Sequence, residues 1–269
     1  MKFSQFFHTV PVFTHAEAVR VHTAGGASER TTNNLLAHHV RTGRLVRVRR
    51  GVYATVPHGV APDRFTPDPY LVATKLAGDS TVAYHAALEF HGRAYSTWRR
   101  FHYLTARRAR PLRYRDFELI PVLAPAAVRS LPDLGGGVVE RPYAGGTVRV
   151  TTLERALVDV LDAPDHGGGW EEIWRSLELV EFFDLDAVID YAHTLGSSIT
   201  VARVGYFLEQ HRDELMVEAR HLDALRAHAP SQVRYFDSKR ATGRLVAGWN
   251  LVVPDAVLNK AWEEPFDAD

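Results

Sequence analysis

The chain has 269 residues, 46% of them hydrophobic, and its 32 Lys/Arg balance 32 Asp/Glu, enough material for two domains or one domain plus a small module. It contains no cysteine, which excludes disulfides, thiol catalysis and cysteine-ligated zinc. No run approaches the ~20 apolar residues of a bilayer span. Phe3 to Val12 is too short for a secretory segment and is interrupted by Gln5, His8 and Pro11, so a cytoplasmic protein without membrane contact is expected.

In chain order, Phe3 to Thr9 reads as a short leading helix. Thr14 and Glu17 have the spacing of a capping box, in which each side chain satisfies the other residue's backbone N–H, and this starts a helix running to about Thr23. Gly25-Gly26 breaks it. Ser28 caps the next helix, Glu29 sits in its positively polarised first turn, and Gly43 stops it. Arg44 to Arg50 then alternates, with Val46 and Val48 expected on one face and Arg47 and Arg49 on the other. Gly51 turns the chain into a partner strand, Val52 to Thr55. Helix, turn, helix and basic hairpin is the order of a winged helix-turn-helix.

Charge sharpens this reading. Residues 1–60 hold eight Lys/Arg against Glu17 and Glu29, a net of +6, and the remaining 24 basic and 30 acidic residues leave −6 beyond position 60. A basic module on an acidic body points to a polyanionic partner at one end. On the second helix, Thr32, Leu35, Leu36, His39 and Val40 share the inward face. Arg30, Asn34, Ala37 and Arg41 oppose them, flanked by Thr31, Asn33 and His38. The N-terminal part of such a helix enters the DNA major groove, where Arg30 can pair bidentately with guanine and Asn33 or Asn34 with adenine. Arg44, Arg47, Arg49 and Arg50 suit phosphate or minor-groove contacts. Arg41 and Arg44 also complement a helix C-terminus. The candidate DNA-binding set is therefore Arg30, Thr31, Asn33, Asn34, Arg41, Arg44, Arg47, Arg49 and Arg50.

Pro57, Pro62, Pro67 and Gly59 mark a linker, placed at 61–67 between a DNA-binding domain (1–60) and a body (68–269), each expected to fold by itself. The body reads as α+β. Helices are expected over Asp68–Lys75 and Thr81–His91, and strands over Phe101–Thr105, Phe117–Leu123 and Thr147–Thr151, with a turn at Ala144 to Gly146. A capping box at Thr151 and Glu154 starts the next helix. Amphipathic helices follow around Trp170–Leu177 and Leu185–Ala192, then over Thr200–Gln210 and Glu214–Ala227. Gln232–Phe236 and Leu245–Val252 close the chain as a strand pair.

No catalytic site emerges. His85, His91 and His102 have no recognised metal spacing and suit satisfied core or surface positions. Asp237-Ser-Lys239 has the Asp-x-Lys shape of some metal-dependent nucleases but lacks a further acid on a neighbouring strand. Gly135–Gly137 and Gly167–Gly169 lack the lysine of a phosphate-binding loop, and no nucleophile elbow is present. The expectation is a non-enzyme with no cofactor and no bound metal.

Leu35-Leu36, Gly43-Arg44-Leu45 and Arg49-Arg50-Gly51-Val52-Tyr53 together resemble the N-terminal winged helix of the AbiEi-type antitoxins. Asp68-Pro69-Tyr70, His85-Ala-Ala-Leu88 with His91-Gly92, and Thr152 to Asp159 are similar to landmarks of the family's longer members, with a fainter echo at Trp249-Asn250-Leu251. The resemblance implies a winged helix that binds inverted repeats in its own promoter and represses the operon. It further implies a C-terminal domain that counteracts a nucleotidyltransferase-like toxin of a type IV toxin–antitoxin pair without requiring a stable complex. The alternatives are a winged-helix transcription factor with a ligand-sensing C-terminal domain and, third, a metal-dependent nuclease.

Overall fold

The computed structural model describes residues 6–7, 9–260 and 262, so part of the expected leading helix (residues 3–5 and 8) lies outside the described residues; Phe6, Phe7 and Thr9 are helical. The chain is α+β. Its contacts resolve into two compact units, one of residues 1–82, 98–123 and 138–150, the other of residues 83–97, 124–137 and 151–269. This division does not fall at the proline-rich segment 61–67. The basic N-terminal region belongs with the central strands in the first unit.

Within that unit, β1 (Val12–Thr14) leads into α1 (His15–Thr23), whose start is fixed by the Thr14–Glu17 capping box. α2 (Glu29–Arg41) begins where Ser28 Oγ accepts the Thr31 N–H at 3.1 Å. β2 (Leu45–Arg49) and β3 (Val52–Thr55) complete a three-stranded sheet in the order β1-β3-β2, antiparallel throughout. Phe6, Phe13, Ala18, Leu36 and Leu45 form its core, with Tyr53 packed beside them. The order is compatible with a winged helix. The link between β2 and β3 is only Arg50-Gly51, where Gly51 takes a φ of +81° that a side chain would disfavour.

The expected alternation in β2 is interrupted. A bulge between Arg47 and Arg49 makes them face adjacent positions of β3, Tyr53 and Val52. One extra residue shifts the pleat by one position, so Arg47 lies on the helix-side face with Leu45 and Tyr53, and Arg49 on the opposite face. That opposite face is also dry: Val12, Val52 and Ala54 are buried, although they are outside the helix-side core.

The rest of the unit is a six-stranded sheet. α3 (Pro69–Ala73) is capped by Asp68, which accepts the Tyr70 and Leu71 N–H groups, with proline at the first turn. β4 (Thr81–Val82) replaces the start of the helix expected over Thr81–His91, and α4 (His85–Phe90) in the second unit is what remains of that helix. A two-residue strand is too short to show alternation, and Tyr84, at φ 58°, makes the break. β5 (Arg100–Thr105), β6 (Leu112–Tyr114), β7 (Phe117–Leu123), β8 (Val138–Tyr143) and β9 (Gly146–Thr151) follow, in the order β6-β7-β5-β4-β9-β8. β5 and β7 are parallel, whereas β6 and β7 form an antiparallel hairpin.

The second unit is mainly helical. α5 (Leu153–Asp162) is capped by Thr152, one residue later than expected, which puts Arg155 at the third helical position and leaves no Thr151–Glu154 capping box. α6 (Pro164–Gly167), α7 (Trp170–Glu178), α8 (Leu185–Leu195) and α9 (Ser198–Gln210) follow. α10 (Ala219–Arg226) is shorter than the helix expected from Glu214. β10 (Arg234–Tyr235) runs parallel to β12 (Leu251–Pro254), and β11 (Gly243–Val246) runs antiparallel to it. The single strand expected over Leu245–Val252 is broken by a 3-10 turn at Ala247–Trp249 and by Asn250 at φ 50°. The Trp249 ring packs so closely on α9 that a Cβ on Gly205 would lie 2.1 Å from it. α11 (Asp255–Leu258) ends the described elements.

Candidate nucleic-acid interface

The compact units separate charge more sharply than position 60 does. The first holds 19 Lys/Arg against 8 Asp/Glu, net +11; the second holds 13 against 24, net −11. Every residue of the candidate DNA-binding set is solvent-exposed. Among the described residues, none of Arg30, Arg41, Arg44, Arg47, Arg49 and Arg50 forms an ion pair with a carboxylate; Arg41 lies 3.5 Å from His38 Nδ1. Charge left uncompensated on one surface is available to an external anion.

α2 presents the faces its periodicity implies. Thr32 and Leu36 are buried, Leu35, His39 and Val40 half-buried, and Arg30, Thr31, Asn33, Asn34, Ala37, His38 and Arg41 exposed. Its placement against α1 is fixed by the His22 Nδ1 to Thr32 Oγ1 contact at 2.9 Å. Asn33 differs from its expected role: its Oδ1 lies 2.5 Å from His15 Nε2, which ties it to α1. Thr31 Oγ1 is likewise engaged by Ser28 Oγ, at 2.9 Å. Arg30 and Asn34 are the side chains left to reach outward. At the other end of the helix, partial burial together with Arg44 and His38 lowers the pKa of His39.

Arg50 stands at the β2–β3 turn, which is tied to α1 by the His15 N–H donating to the Gly51 carbonyl at 2.8 Å. Arg49 is exposed, and its charge opposes the rise that burial causes in the pKa of the Tyr103 phenol. Arg47 and Arg50 are exposed as well. Sequence reasoning passed over Arg107, Arg108 and Arg110, which are exposed in the β5–β6 loop of the same unit. Their signal, an Arg-Arg-Ala-Arg run without an acid, was visible but lay outside the recognised module.

Of the residues weighed for catalysis, His85, His91 and Asp237 each have defined hydrogen-bond partners. His85 is buried with Nε2 3.0 Å from Glu172 Oε1. His91 Nε2 lies 2.8 Å from the Thr151 carbonyl oxygen. Asp237 accepts the Trp170 indole N–H at 3.0 Å and the Lys239 N–H at 2.9 Å, the geometry of a capped turn. Among the described residues no group of three or more His, Asp or Glu could hold a metal. Gly135 to Gly137, all at positive φ, wrap the buried Arg155. No described helix is long and apolar enough to cross a membrane.

No family model matches the chain, and no curated protein does. Among solved structures it is similar to the RV2827C protein from Mycobacterium tuberculosis, with a TM-score of 0.61 at 18% identity over 97% of this chain and 93% of that one. At that identity the likeness establishes a shared fold along nearly the whole length.

Proposed function

We propose that the protein is a cytoplasmic, non-enzymatic DNA-binding repressor, and that it is the antitoxin of a type IV toxin–antitoxin pair. The observation that carries the DNA-binding half is the set of exposed arginines without carboxylate partners on α2 and the β2–β3 hairpin, in a unit of net charge +11. Arg30 and Asn34 read bases in the major groove of its own promoter, and Arg41, Arg44, Arg47 and Arg50 hold phosphates. The antitoxin half is supported by the resemblance of the Arg-Arg-Gly-Val-Tyr hairpin and the downstream landmarks to the AbiEi type, with a nucleotidyltransferase-like toxin as functional partner and no stable complex required.

A gel shift with the DNA upstream of its own start codon tests the first half. Binding should weaken steeply with salt, at about −0.9 in log K per log salt for each phosphate neutralised. Arg30→Ala or Asn34→Ala should cost about 1–3 kcal/mol at one base position; unchanged operator preference in both variants would remove α2 as the reading element. Co-expression with the toxin encoded beside it tests the second half by survival. A ligand-sensing regulator is the second reading, favoured by a cleft of about 520 Å³ in the first unit that Glu17, Arg20, Leu71 and Lys75 help to line. Loss of operator binding on adding cell metabolites, together with no rescue from the toxin, would select it.

A further inference from the structure

The β5–β6 loop carries Arg107, Arg108 and Arg110, all exposed, and none forms an ion pair among the described residues. The loop is firmly rooted: Asp79 accepts the Thr105 hydroxyl at 2.8 Å and the Ala106 N–H at 2.6 Å. Asp79 is the acid in contact with its root, and there is no acid between Ala106 and Arg115.

Three sets of contacts fix which end of the unit the loop occupies. At one end, Arg115, in the β6–β7 turn, donates to the Pro62 and Asp63 carbonyls, the former at 2.6 Å. Gly43, just before β2, packs on the same Pro62 so tightly that a Cβ would lie 2.6 Å from its ring. β2 therefore starts near the Arg115 end of the sheet. From there β2 runs away from that end and closes at the Arg50-Gly51 turn into β3. The third contact is the 2.6 Å ion pair between Lys75 Nζ and Glu17 Oε1. It joins the segment leading to Asp79 to the start of α1, which itself holds the Gly51 carbonyl. The β2–β3 turn and the arginine loop thus lie at the same end of the unit.

We propose that Arg107, Arg108 and Arg110 are a second phosphate-binding element, which grips the backbone of the duplex beside the stretch held by the β2–β3 hairpin. The inference rests on the DNA-binding reading and extends its footprint. The contacts are electrostatic and carry no base information, so they add affinity and length of protection without changing operator preference.

The test compares full-length wild type, the triple variant Arg107→Ala/Arg108→Ala/Arg110→Ala, the corresponding triple lysine variant and Arg47→Ala/Arg50→Ala. Each is titrated against the upstream duplex at several salt concentrations, with hydroxyl-radical footprinting. The alanine triple should flatten the salt slope by about 2 to 3 and lose protection at one flank of the footprint while keeping operator preference. The lysine triple should keep both slope and flank. If the alanine triple retains the wild-type slope and flank while Arg47→Ala/Arg50→Ala loses affinity, DNA binding stands and the second element is refuted. A wild-type slope near zero would refute the DNA-binding reading itself.

Discussion

The arginines of the two units differ in what surrounds them. In the second unit Arg155, Arg175, Arg220, Arg226 and Arg244 each meet a carboxylate, and Arg203 turns inward to donate to the carbonyls of Leu161, Asp162 and Phe236. Arg155 is the extreme case. Its Nε reaches Asp159 at 3.4 Å, its guanidinium lies 4.7 Å from the Tyr191 ring centroid, and Tyr191 donates to Asp159 at 2.8 Å. In the first unit the arginines of α2, the hairpin and the β5–β6 loop are exposed and meet no carboxylate among the described residues. The same residue type is a structural cross-link where acids are plentiful and a free cation where they are scarce. Buried pairing makes a guanidinium expensive to remove, whereas exposure makes it nearly irrelevant to stability and available to a ligand.

The largest effect expected from breaking this contrast is on a fragment. Val12, Val52 and Ala54 are buried on the side of the three-stranded sheet away from its helices, and the first unit continues through residues 98–123 and 138–150. Residues 1–60 alone would expose that face, and we expect them to lack a cooperative melting transition by circular dichroism. A sharp transition in that fragment would restore an independent N-terminal domain. Next is Arg155→Ala, which strands Asp159 and should cost about 3–5 kcal/mol in denaturant unfolding. In parallel, Arg47→Ala should stay within about 0.5 kcal/mol of wild type and lose DNA affinity instead.

A pH series sharpens the same point. Burial pushes the Asp159 carboxyl up to about 6, against the pull of Arg155 and the Tyr191 hydroxyl. The native state therefore holds this proton more tightly than the unfolded chain does. The contribution is complete below the unfolded value near 4, and it is lost as pH rises through about 6, by up to about 3 kcal/mol. Asp159→Asn should flatten stability over that window, and an unchanged pH profile would mean Asp159 is not the group titrating. A comparably small effect belongs to an exposed pair of the first unit. Arg99→Ala removes the contact with Asp116, both largely in solvent, and should change stability by less than about 1 kcal/mol.

Local signals were read from the sequence where the physics is local. The Thr14–Glu17 capping box, the Ser28 cap, the inward face of α2 and the Asp68-Pro69 helix start each depend on residues within a turn or two, and each is present. Tertiary structure decided the rest. The bulge that separates Arg47 from Arg49 is set by pairing with β3, and β6 and β8 are held by neighbours rather than by their own propensity. The long-range contacts group the proline-rich segment with the strands on either side of it in one compact unit, in which Val12, Val52 and Ala54 are buried. The charge imbalance was legible at +6 against −6, but its division into +11 and −11 required knowing which distant segments pack together. Composition fixes how many charges a chain carries, and only long-range packing decides which of them are neutralised and which face the solvent.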